Sequence, residues 1–590
     1  MNNEILPDWN LEGIFAGFNS SKYKKMFSDF TENISKLEEL IQQNFTTNTL
    51  IKIIKLLNQS AAMCEELFSY AYCKYSTNTS DPQSIQEINR IEEASVGFNT
   101  FLVKFRIFLS ENEEQLSKTA LRNEELSKYS FFFKEQIFLK DRQMPPELEE
   151  LAADLALSGS SAWEKLHQTL SSSTVINWDE DGTQKTSVEL RTMAFDADSE
   201  IRKKAWEKEI ELWKSIEVPL AFSLNGIKGA SNTVNAKRNY KSTLERSAHQ
   251  GRLSTETLNT MINVMTEALP EFRRYLKLKA SFLGEDKLPF YDLFAPVSST
   301  NLKISFSDAE SFIIKQFSNF SLELGTFAEK AFNNNWIDAA PKKGKVGGAY
   351  CTALPVCKES RILCNYGGSF SDLSTVAHEL GHAYHNEVLN SLPQINRDIP
   401  MTLAETASIF CETIILEGAL SECKEEEKLS LIEHELMEST QVIVDILSRF
   451  IFEKEVFRIR KDKELSPEDF CNIMKDAQLK TYGDAMDENF LHPYMWAVKG
   501  HYYSQELGFY NFPYAFGKLF GLGLYSIYKK EGDSFAKRYK EILSETGKAS
   551  AEDVTKIAGY DITKKDFWQS SINIIVDKID CFENLCKKGK

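Results

Sequence analysis

Apolar residues recur at helical spacing along most of the chain. Over the first 200 residues, apolar side chains three and four positions apart form stretches separated by polar breaks, such as the Ser/Thr/Asn/Pro run at 76–82. The same period continues through much of the remaining sequence. The predicted helices include Lys36–Gln43, Leu50–Lys74, Gln86–Glu111, Pro146–Ala156, Leu258–Leu278 and Glu425–Arg460. This pattern predicts a mainly α, multi-helical protein.

Two segments break the helical period and predict short strands. Val175–Trp178 leads into the turn at 179–182, and we expect it to form a small hairpin with Ser187–Met193. Arg361–Tyr366 forms a second apolar run that ends at Gly367-Gly368. The second strand lies directly before the most informative helix of the chain.

That helix carries an apolar stripe on one side and histidines on another. Ser371 or Asp372 is the predicted N-cap. His378, His382 and His385 fall away from the apolar stripe. The stripe residues are Leu373, Val376, Ala377, Leu380, Tyr384 and Val388.

The sequence His378-Glu379-Leu380-Gly381-His382 has the spacing of a zinc-binding helix. Residues four apart lie about 40° apart around a helix, so both imidazoles can reach one cation. Glu379 lies on the flank of that pair, where it can take a proton from a water activated by the metal. The alternative is a solvated helix with three surface histidines.

A catalytic zinc usually has three protein ligands, so a third donor is required. Glu405, 23 residues after His382, is the predicted ligand. Thr402-x-x-Glu405 is also the pattern of a capping box, in which Glu405 only closes a helix start. Glu412 is then the fallback ligand, or otherwise an acceptor for a ligand imidazole.

These residues carry a family resemblance. Ala-His-Glu-Leu-Gly-His-Ala-Tyr-His at 377–385, with Ala-Glu-Thr-Ala-Ser-Ile-Phe at 404–410, resembles the zinc peptidases of the oligoendopeptidase F and thimet oligopeptidase family. The glycine-rich stretch at 347–352 and the strand at 361–366 resemble the segments that precede the motif there. Downstream, 501–503 and 509–517 resemble the His and Tyr segment over the metal.

The resemblance implies a two-lobed zincin fold that encloses a deep substrate channel, with a small β-sheet beside the active-site helix. It also implies an N-terminal helical lobe, assigned to residues 1–195, and a catalytic zinc metallopeptidase domain, assigned to 196–590. The expected activity is hydrolysis of internal bonds in short peptides, with one Zn²⁺ per chain.

His501, Tyr510 and Tyr514 are the expected partners of the reacting carbonyl, on the strength of the same resemblance. A phenol or an imidazole can donate a hydrogen bond to an oxyanion, which is the physical case for these residue types. The competing interpretation is an aromatic core, since aromatic residues make up 12% of the chain.

Composition narrows the remaining function classes. The formal charge of −17 argues against a nucleic-acid partner, which needs a basic face. The longest apolar run, at 512–528, contains Lys518 and is short for a membrane span, so no membrane association is expected. The ten cysteines form no C-x-x-C pair and no signal peptide is visible, which favours reduced thiols and a cytoplasmic location.

Two other classes of function stay open at this point. Glu379-x-x-His382 and Glu164-x-x-His167 together match the paired motifs of di-iron carboxylate helical oxidases. A non-catalytic helical scaffold that binds peptides and keeps a vestigial metal site is the third possibility. Metal content and peptide cleavage distinguish the three.

Overall fold

The structure, a computed structural model, describes residues 5–118, 120–297 and 303–588 and is dominated by α-helices. The helices of the first half are α1 Ser21–Ile41, α2 Thr47–Thr77, α3 Pro82–Glu111, α4 Glu113–Lys118, α5 Glu124–Ser127, α6 Ser130–Lys140, α7 Pro146–Ser158, α8 Ser160–Ser173, α9 Ser187–Thr192, α10 Ser199–Ser215, α11 Glu217–Lys237, α12 Thr243–Gln250 and α13 Thr255–Leu283. Those of the second half are α14 Phe306–Phe320, α15 Leu322–Asn333, α16 Phe370–Leu389, α17 Met401–Ala404, α18 Thr406–Glu422, α19 Glu425–Thr440, α20 Ile446–Ile459, α21 Pro467–Tyr482, α22 Met495–Val498, α23 Phe512–Glu531, α24 Phe535–Glu545, α25 Ala551–Ile557 and α26 Lys565–Lys588. The mainly α prediction is confirmed.

Five short strands form two small sheets in the described part of the chain. They are β1 Val175–Asn177, β2 Gln184–Thr186, β3 Ile337–Asp338, β4 Tyr350–Leu354 and β5 Glu359–Leu363. The first two pair with each other in antiparallel fashion. The other three lie in the order β3-β5-β4, with β3 parallel and β4 antiparallel to β5. The sheet packs against α16, as the resemblance implied.

The predicted hairpin exists, but its second strand was misplaced. Ser187–Met193 was expected to pair with the first strand, whereas the pairing strand is β2 and Ser187–Thr192 forms α9. The cause is a capping box at Thr186. Its hydroxyl accepts from the Glu189 backbone N–H at 3.3 Å, and the Glu189 carboxylate accepts from the Thr186 N–H at 2.8 Å.

The chain divides into two compact units, each built from three segments. The first unit comprises Met1–Arg142, Asn301–Glu422 and Ile527–Tyr560, and the second comprises Gln143–Thr300, Cys423–Ser526 and Asp561–Lys590. The predicted division into a lobe at 1–195 and a catalytic domain at 196–590 cuts the chain at one point, whereas each compact unit combines three separate segments. It stays a prediction.

The core of the first unit lies between its N-terminal helices and its sheet. Leu50, Ile53 and Leu57 of α2 pack with Phe101 and Phe105 of α3 in one buried cluster. A second cluster joins apolar residues of α1 and α2 to Leu354 at the end of β4. The sheet beside α16 is therefore held by the apolar N-terminal helices.

The second unit has a helical core that also contains charged pairs. Its long helix α13 packs against α26, and α20 packs against α21 and α11. Lys228 and Glu453 form an ion pair in which neither side chain is exposed to solvent. No helix within the described residues combines the length and apolar character that a bilayer crossing requires.

Candidate metal centre

Helix α16 begins two or three residues earlier than predicted. Ser369 is the N-cap, and its hydroxyl accepts from the Asp372 backbone N–H at 3.1 Å. The Asp372 carboxylate accepts in return from the Ser369 N–H at 2.9 Å, which completes a capping box. The choice of Ser371 or Asp372 as N-cap was therefore wrong, although Asp372 belongs to the cap.

The apolar stripe of α16 is buried as predicted. All six predicted stripe residues are at most 6% exposed. The two motif histidines lie on a half-buried face, with 21% of the His378 side chain and 24% of the His382 side chain exposed. The third histidine faces elsewhere: His385 is buried and its Nε2 lies 2.7 Å from the Thr546 hydroxyl. The solvated helix with three surface histidines is excluded.

Three donor atoms from two neighbouring helical segments converge at one point. His378 Nε2 lies 3.2 Å from His382 Nε2. Oε2 of Glu405 lies 3.2 Å from His378 Nε2 and 3.4 Å from His382 Nε2. These side chains are the one group of three potential metal ligands found among the described residues.

Gly381 allows the helices that carry these donors to approach closely. A Cβ at this position would lie 2.7 Å from the Ala407 carbonyl oxygen and 2.7 Å from Ser408 Cα. Both atoms belong to the first turn of α18, which starts directly after Glu405. Glycine therefore lets the backbone of α18 reach α16 and brings Glu405 to the two histidines.

Glu405 does not form a capping box with Thr402, the alternative to its role as a ligand. The short helix α17 begins after Pro400, its N-cap, so Thr402 lies inside that helix. Glu405 sits between α17 and α18, and its Oε2 accepts a hydrogen bond from the Ser408 hydroxyl at 2.7 Å. Ser408 thus orients the carboxylate toward the imidazoles.

Glu412 contacts the far side of the first imidazole. Its Oε1 lies 3.1 Å from His378 Nδ1. An Nδ1–H that donates to Glu412 leaves the Nε2 lone pair of His378 facing the cluster. The geometry matches the acceptor role for Glu412 rather than the fallback ligand role.

The charges of the cluster interact strongly. Burial tends to raise the pKa of Glu405, but the hydrogen bonds and charges of His378 and His382 outweigh it and hold that pKa below its usual range. Burial tends to lower the pKa of His378, but the charges and hydrogen bonds of Glu412 and Glu405 outweigh burial and raise that pKa well above its ordinary value. The site therefore strongly favours positive charge at its centre.

Glu379 lies on the flank of the cluster and is only 6% exposed. Burial raises the pKa of its carboxyl above the usual value, while His378 and His382 act in the opposite direction. Its Oε2 is buried and has no hydrogen-bond partner within the described chain. A carboxylate with a raised pKa is a better proton acceptor near neutral pH.

The donor set fits a zinc ion. Nitrogen and oxygen ligands at about 2.0–2.1 Å from a tetrahedral zinc lie about 3.3 Å from one another. The three donor separations of 3.2, 3.2 and 3.4 Å agree with that spacing. Two imidazoles and one carboxylate are also the usual protein donors of a catalytic zinc site, which leaves one position open.

The expected partners of the reacting carbonyl lie together in the second unit. The ring centroid of Tyr510 is 6.0 Å from that of His501 and 5.6 Å from that of Tyr514. Tyr514 is 43% exposed, so it is not a core residue, and Tyr510 is partly exposed. Burial, followed by the charges of Arg449, Lys228 and Lys499, lowers the pKa of His501 to about 3, which keeps the imidazole neutral.

Comparison with known proteins identifies the family. The model of peptidase family M3 matches residues 192–574, and the model described as oligopeptidase F matches residues 108–175. The chain belongs to peptidase family M3. It is therefore a metallopeptidase of a family that uses zinc, and the suspected resemblance is confirmed.

Relatives of this M3 peptidase extend over its whole length. Oligopeptidase PepF of Bacillus subtilis is 24% identical over 99% of this chain and 88% of its own. An oligoendopeptidase F homolog of Lactococcus lactis subsp. lactis is 23% identical over 98% and 97%.

Solved structures show the same fold. A crystal structure from Chlamydophila abortus superposes with a TM-score of 0.83 at 21% identity and covers 98% of both chains. The oligoendopeptidase-F of Enterococcus faecium superposes with a TM-score of 0.70 at 18% identity, over 96% of this chain and 99% of its own. The mainly α, multi-helical fold class is thereby confirmed over nearly the full length of the M3 peptidase.

Within the described residues, Glu164-x-x-His167 does not form the second metal half-site that the di-iron hypothesis requires. His167 is buried, and its Nε2 lies 2.8 Å from the Ala497 carbonyl oxygen. Its ring stacks on Tyr503 with a centroid separation of 3.8 Å. The His167 ring is thus engaged by a backbone carbonyl and by an aromatic stack rather than by other potential metal ligands. Membership of a peptidase family also sets aside the non-catalytic scaffold.

Sequence reasoning missed the residues that position the candidate site side chains without themselves belonging to the site. Gly381 carried a usable signal, because a glycine inside a helical pattern costs stability and indicates close packing. Ser408 gave none, since serine is common on helices. The buried pair Lys228–Glu453 gave none either, because nothing in the sequence shows that two charged residues 225 positions apart meet.

Proposed function

We propose that this M3 peptidase is an endopeptidase with one zinc per chain that hydrolyses internal bonds of short peptides. The observation that carries the proposal is the convergence of His378, His382 and Glu405, with donor atoms 3.2–3.4 Å apart, beside the buried Glu379. In the proposal the first three hold the metal and Glu379 is the general base.

Each side chain has a separate task in this mechanism. His378 and His382 offer Nε2 and Glu405 offers a carboxylate oxygen, while Glu412 holds the Nδ1 side of His378. When bound, zinc supplies Lewis acidity, which polarises a peptide carbonyl and makes water more acidic. Glu379 accepts a proton from the attacking water and returns it to the amine of the leaving peptide.

The negative charge that develops on the carbonyl oxygen needs hydrogen-bond donors. Tyr510 and Tyr514 offer phenolic hydroxyls, and neutral His501 offers a ring N–H. Their mutual proximity supports a shared role. Tyr514, the most exposed of these side chains, is the first choice as donor.

An extended peptide is the substrate that the first unit suits. β4 is the outer strand of its sheet, and within the described residues it pairs only with β5. An outer strand offers main-chain donors and acceptors that can pair with a peptide of any sequence. The names oligopeptidase and oligoendopeptidase of the relatives support short peptides as substrates.

A cytoplasmic location is retained as part of the proposal. All ten cysteines are free thiols, which suits a reducing compartment.

Metal removal and a peptide pool test the proposed function. A chelator should abolish hydrolysis, and stoichiometric Zn²⁺ should restore it. Mass spectrometry should then show products of internal cleavage rather than removal of single terminal residues. Full activity in metal-free protein, or two bound iron atoms per chain, would overturn the proposal.

A further inference from the structure

A fully buried ion pair in the second unit contacts the segment that carries Tyr510. Lys228 of α11 and Glu453 of α20 are both 0% exposed, and Lys228 Nζ donates to Glu453 Oε1 at 2.6 Å. A buried ion pair of this kind often adds little stability compared with well-packed apolar side chains. The groups that this ion pair binds therefore indicate its role better than its effect on stability does.

The second carboxylate oxygen of Glu453 binds the residues on both sides of Tyr510. Oε2 accepts from the Phe509 backbone N–H at 3.1 Å and from Nδ2 of Asn511 at 3.2 Å. One carboxylate thus fixes the main chain before Tyr510 and the side chain after it. Lys228 in turn orients that carboxylate.

Phe509 needs such a fixed environment. Its φ of +57° lies in the left-handed region, which a bulky residue rarely adopts. Its ring packs between Phe450 and Phe457 of α20, with centroid separations of 5.4 and 5.5 Å. Strained backbone of this kind persists only where the surroundings hold it, and it is concentrated at functional sites.

The same contacts extend to the other candidate donor. The carbonyl oxygen of Asn511 accepts from the Tyr514 backbone N–H at 3.2 Å, at the start of α23. Displacement of Asn511 would therefore move the base of Tyr514 as well as that of Tyr510. His501 packs 6.0 Å from the Tyr510 ring and would lose its neighbour.

We infer that Lys228 and Glu453 are positioning residues, which set the backbone around Tyr510 so that its hydroxyl meets the reacting carbonyl oxygen. This inference rests on the proposed function, in which Tyr510 donates to the developing oxyanion. A positioning role predicts a loss in kcat rather than in KM, because a misplaced donor weakens the transition state more than the bound substrate.

The first test compares two buried carboxylates of the second unit. Glu453→Gln should lower kcat about 10- to 100-fold, with KM changed less than about threefold. Glu433→Gln is the matched control, because Glu433 also forms a buried ion pair, with Lys279 at 2.6 Å. Its carboxylate also accepts from the Tyr275 hydroxyl, and these residues lie on α13 and α19, neither of which carries Tyr510. We expect the control to lose thermal stability to a similar extent and to keep kcat.

The second test is a double variant. If Glu453 acts through Tyr510, Glu453→Gln combined with Tyr510→Phe should lose no more kcat than the more damaging single change. A loss equal to the product of the two single losses would overturn the inference. So would a Glu453→Gln enzyme whose kcat matches that of Glu433→Gln.

If Glu453→Gln is too unstable to assay, Asn511→Ala can be measured in its place. Asn511→Ala removes one of the contacts without leaving Lys228 buried and unpaired, and it should lower kcat about 3- to 10-fold at constant KM. An unchanged kcat in Asn511→Ala would count against the inference. Glu379→Gln distinguishes failure of the proposed function from failure of this inference. If Glu379→Gln is fully active, the proposed function fails. If Glu379→Gln is inactive and Glu453→Gln is fully active, the proposed function stands and only the positioning role of Lys228 and Glu453 is refuted.

Discussion

The metal-binding candidates of the first unit and the tyrosine–histidine group of the second unit are held in different ways. His378 and His382 lie one turn apart on α16, and Glu405 reaches them because α18 packs on Gly381. Tyr510 lies outside regular helix and strand, and its position depends on a carboxylate from α20 paired with an ammonium from α11. The first group combines two histidines of one helical turn with a carboxylate from the next helical segment, whereas the second depends on charges that are distant in sequence.

This difference predicts how each group responds to mutation. Removal of a proposed ligand or of Glu379 in the first unit should change metal content or proton transfer directly, because in the proposed function these side chains hold the metal and accept the proton. Loss of Lys228 or Glu453 in the second unit should reach the reaction through geometry and should leave the metal in place. The predictions below probe this contrast, from the largest expected effect to the smallest.

Glu379→Gln should have the largest effect. The amide cannot accept a proton, so kcat should fall by about 10³-fold or more while zinc content stays at the wild-type level. Peptide hydrolysis and metal analysis on the same preparation check both statements. Glu387→Gln, a partly exposed position on the same helix, serves as the control and should keep full activity. A fully active, zinc-loaded Glu379→Gln would remove the general base from the mechanism.

Glu405→Gln and Glu412→Gln should separate ligand from supporting acceptor. Loss of the Glu405 carboxylate should leave the purified protein largely without zinc, since only two imidazoles then remain. Glu412→Gln should weaken zinc affinity about 10- to 100-fold and still reach one zinc per chain at saturation. Competition with a chromophoric chelator measures both affinities. Zinc loss confined to Glu412→Gln would move the third ligand to Glu412.

Gly381→Ala should disturb the first group through packing alone. The new methyl group would meet the α18 backbone at 2.7 Å, which should cost about 1–3 kcal/mol and move Glu405 away from the histidines. Chemical denaturation and zinc titration follow the two effects. Gly97→Ala on α3 is the control: its nearest contact is Ile34 Cγ2 at 3.4 Å, so it should raise stability by about 0.5–1 kcal/mol. Equal stabilities for the two variants would contradict the close approach.

His501 should make the second unit sensitive to acid. Its pKa is lowered to about 3 in the folded chain, against 6.5 as the ordinary value, so its stabilising contribution is complete above pH 6.5 and declines as the pH falls toward 3. Between pH 7 and 5 this should remove about 1–2 kcal/mol of stability. His501→Gln should flatten the pH dependence of unfolding in that range, and the partly exposed His434 is the control as His434→Gln. An unchanged slope in His501→Gln would show that its imidazole titrates normally.

Much of the first group could be predicted because it depends on local spacing. The stripe from Leu373 to Val388 predicted the buried side of α16, and the i, i+4 histidines predicted the shared face. The N-cap and the second strand of the hairpin were misplaced because both depend on capping boxes, at Ser369 and Thr186, that compete with nearby alternatives. The capping alternative for Glu405 could be decided only once Pro400 was seen as the N-cap.

The sequence alone determined the helical class, the family and the two histidines of the candidate metal centre, because helical periodicity and a motif within a single turn are properties of neighbouring residues. Tertiary structure decided that Glu405 faces the histidines, that Gly381 lets α18 approach α16, and that the buried Lys228–Glu453 pair binds the residues on both sides of Tyr510. Those outcomes depend on contacts between residues tens to hundreds of positions apart, and side-chain spacing along the chain contains no record of such contacts.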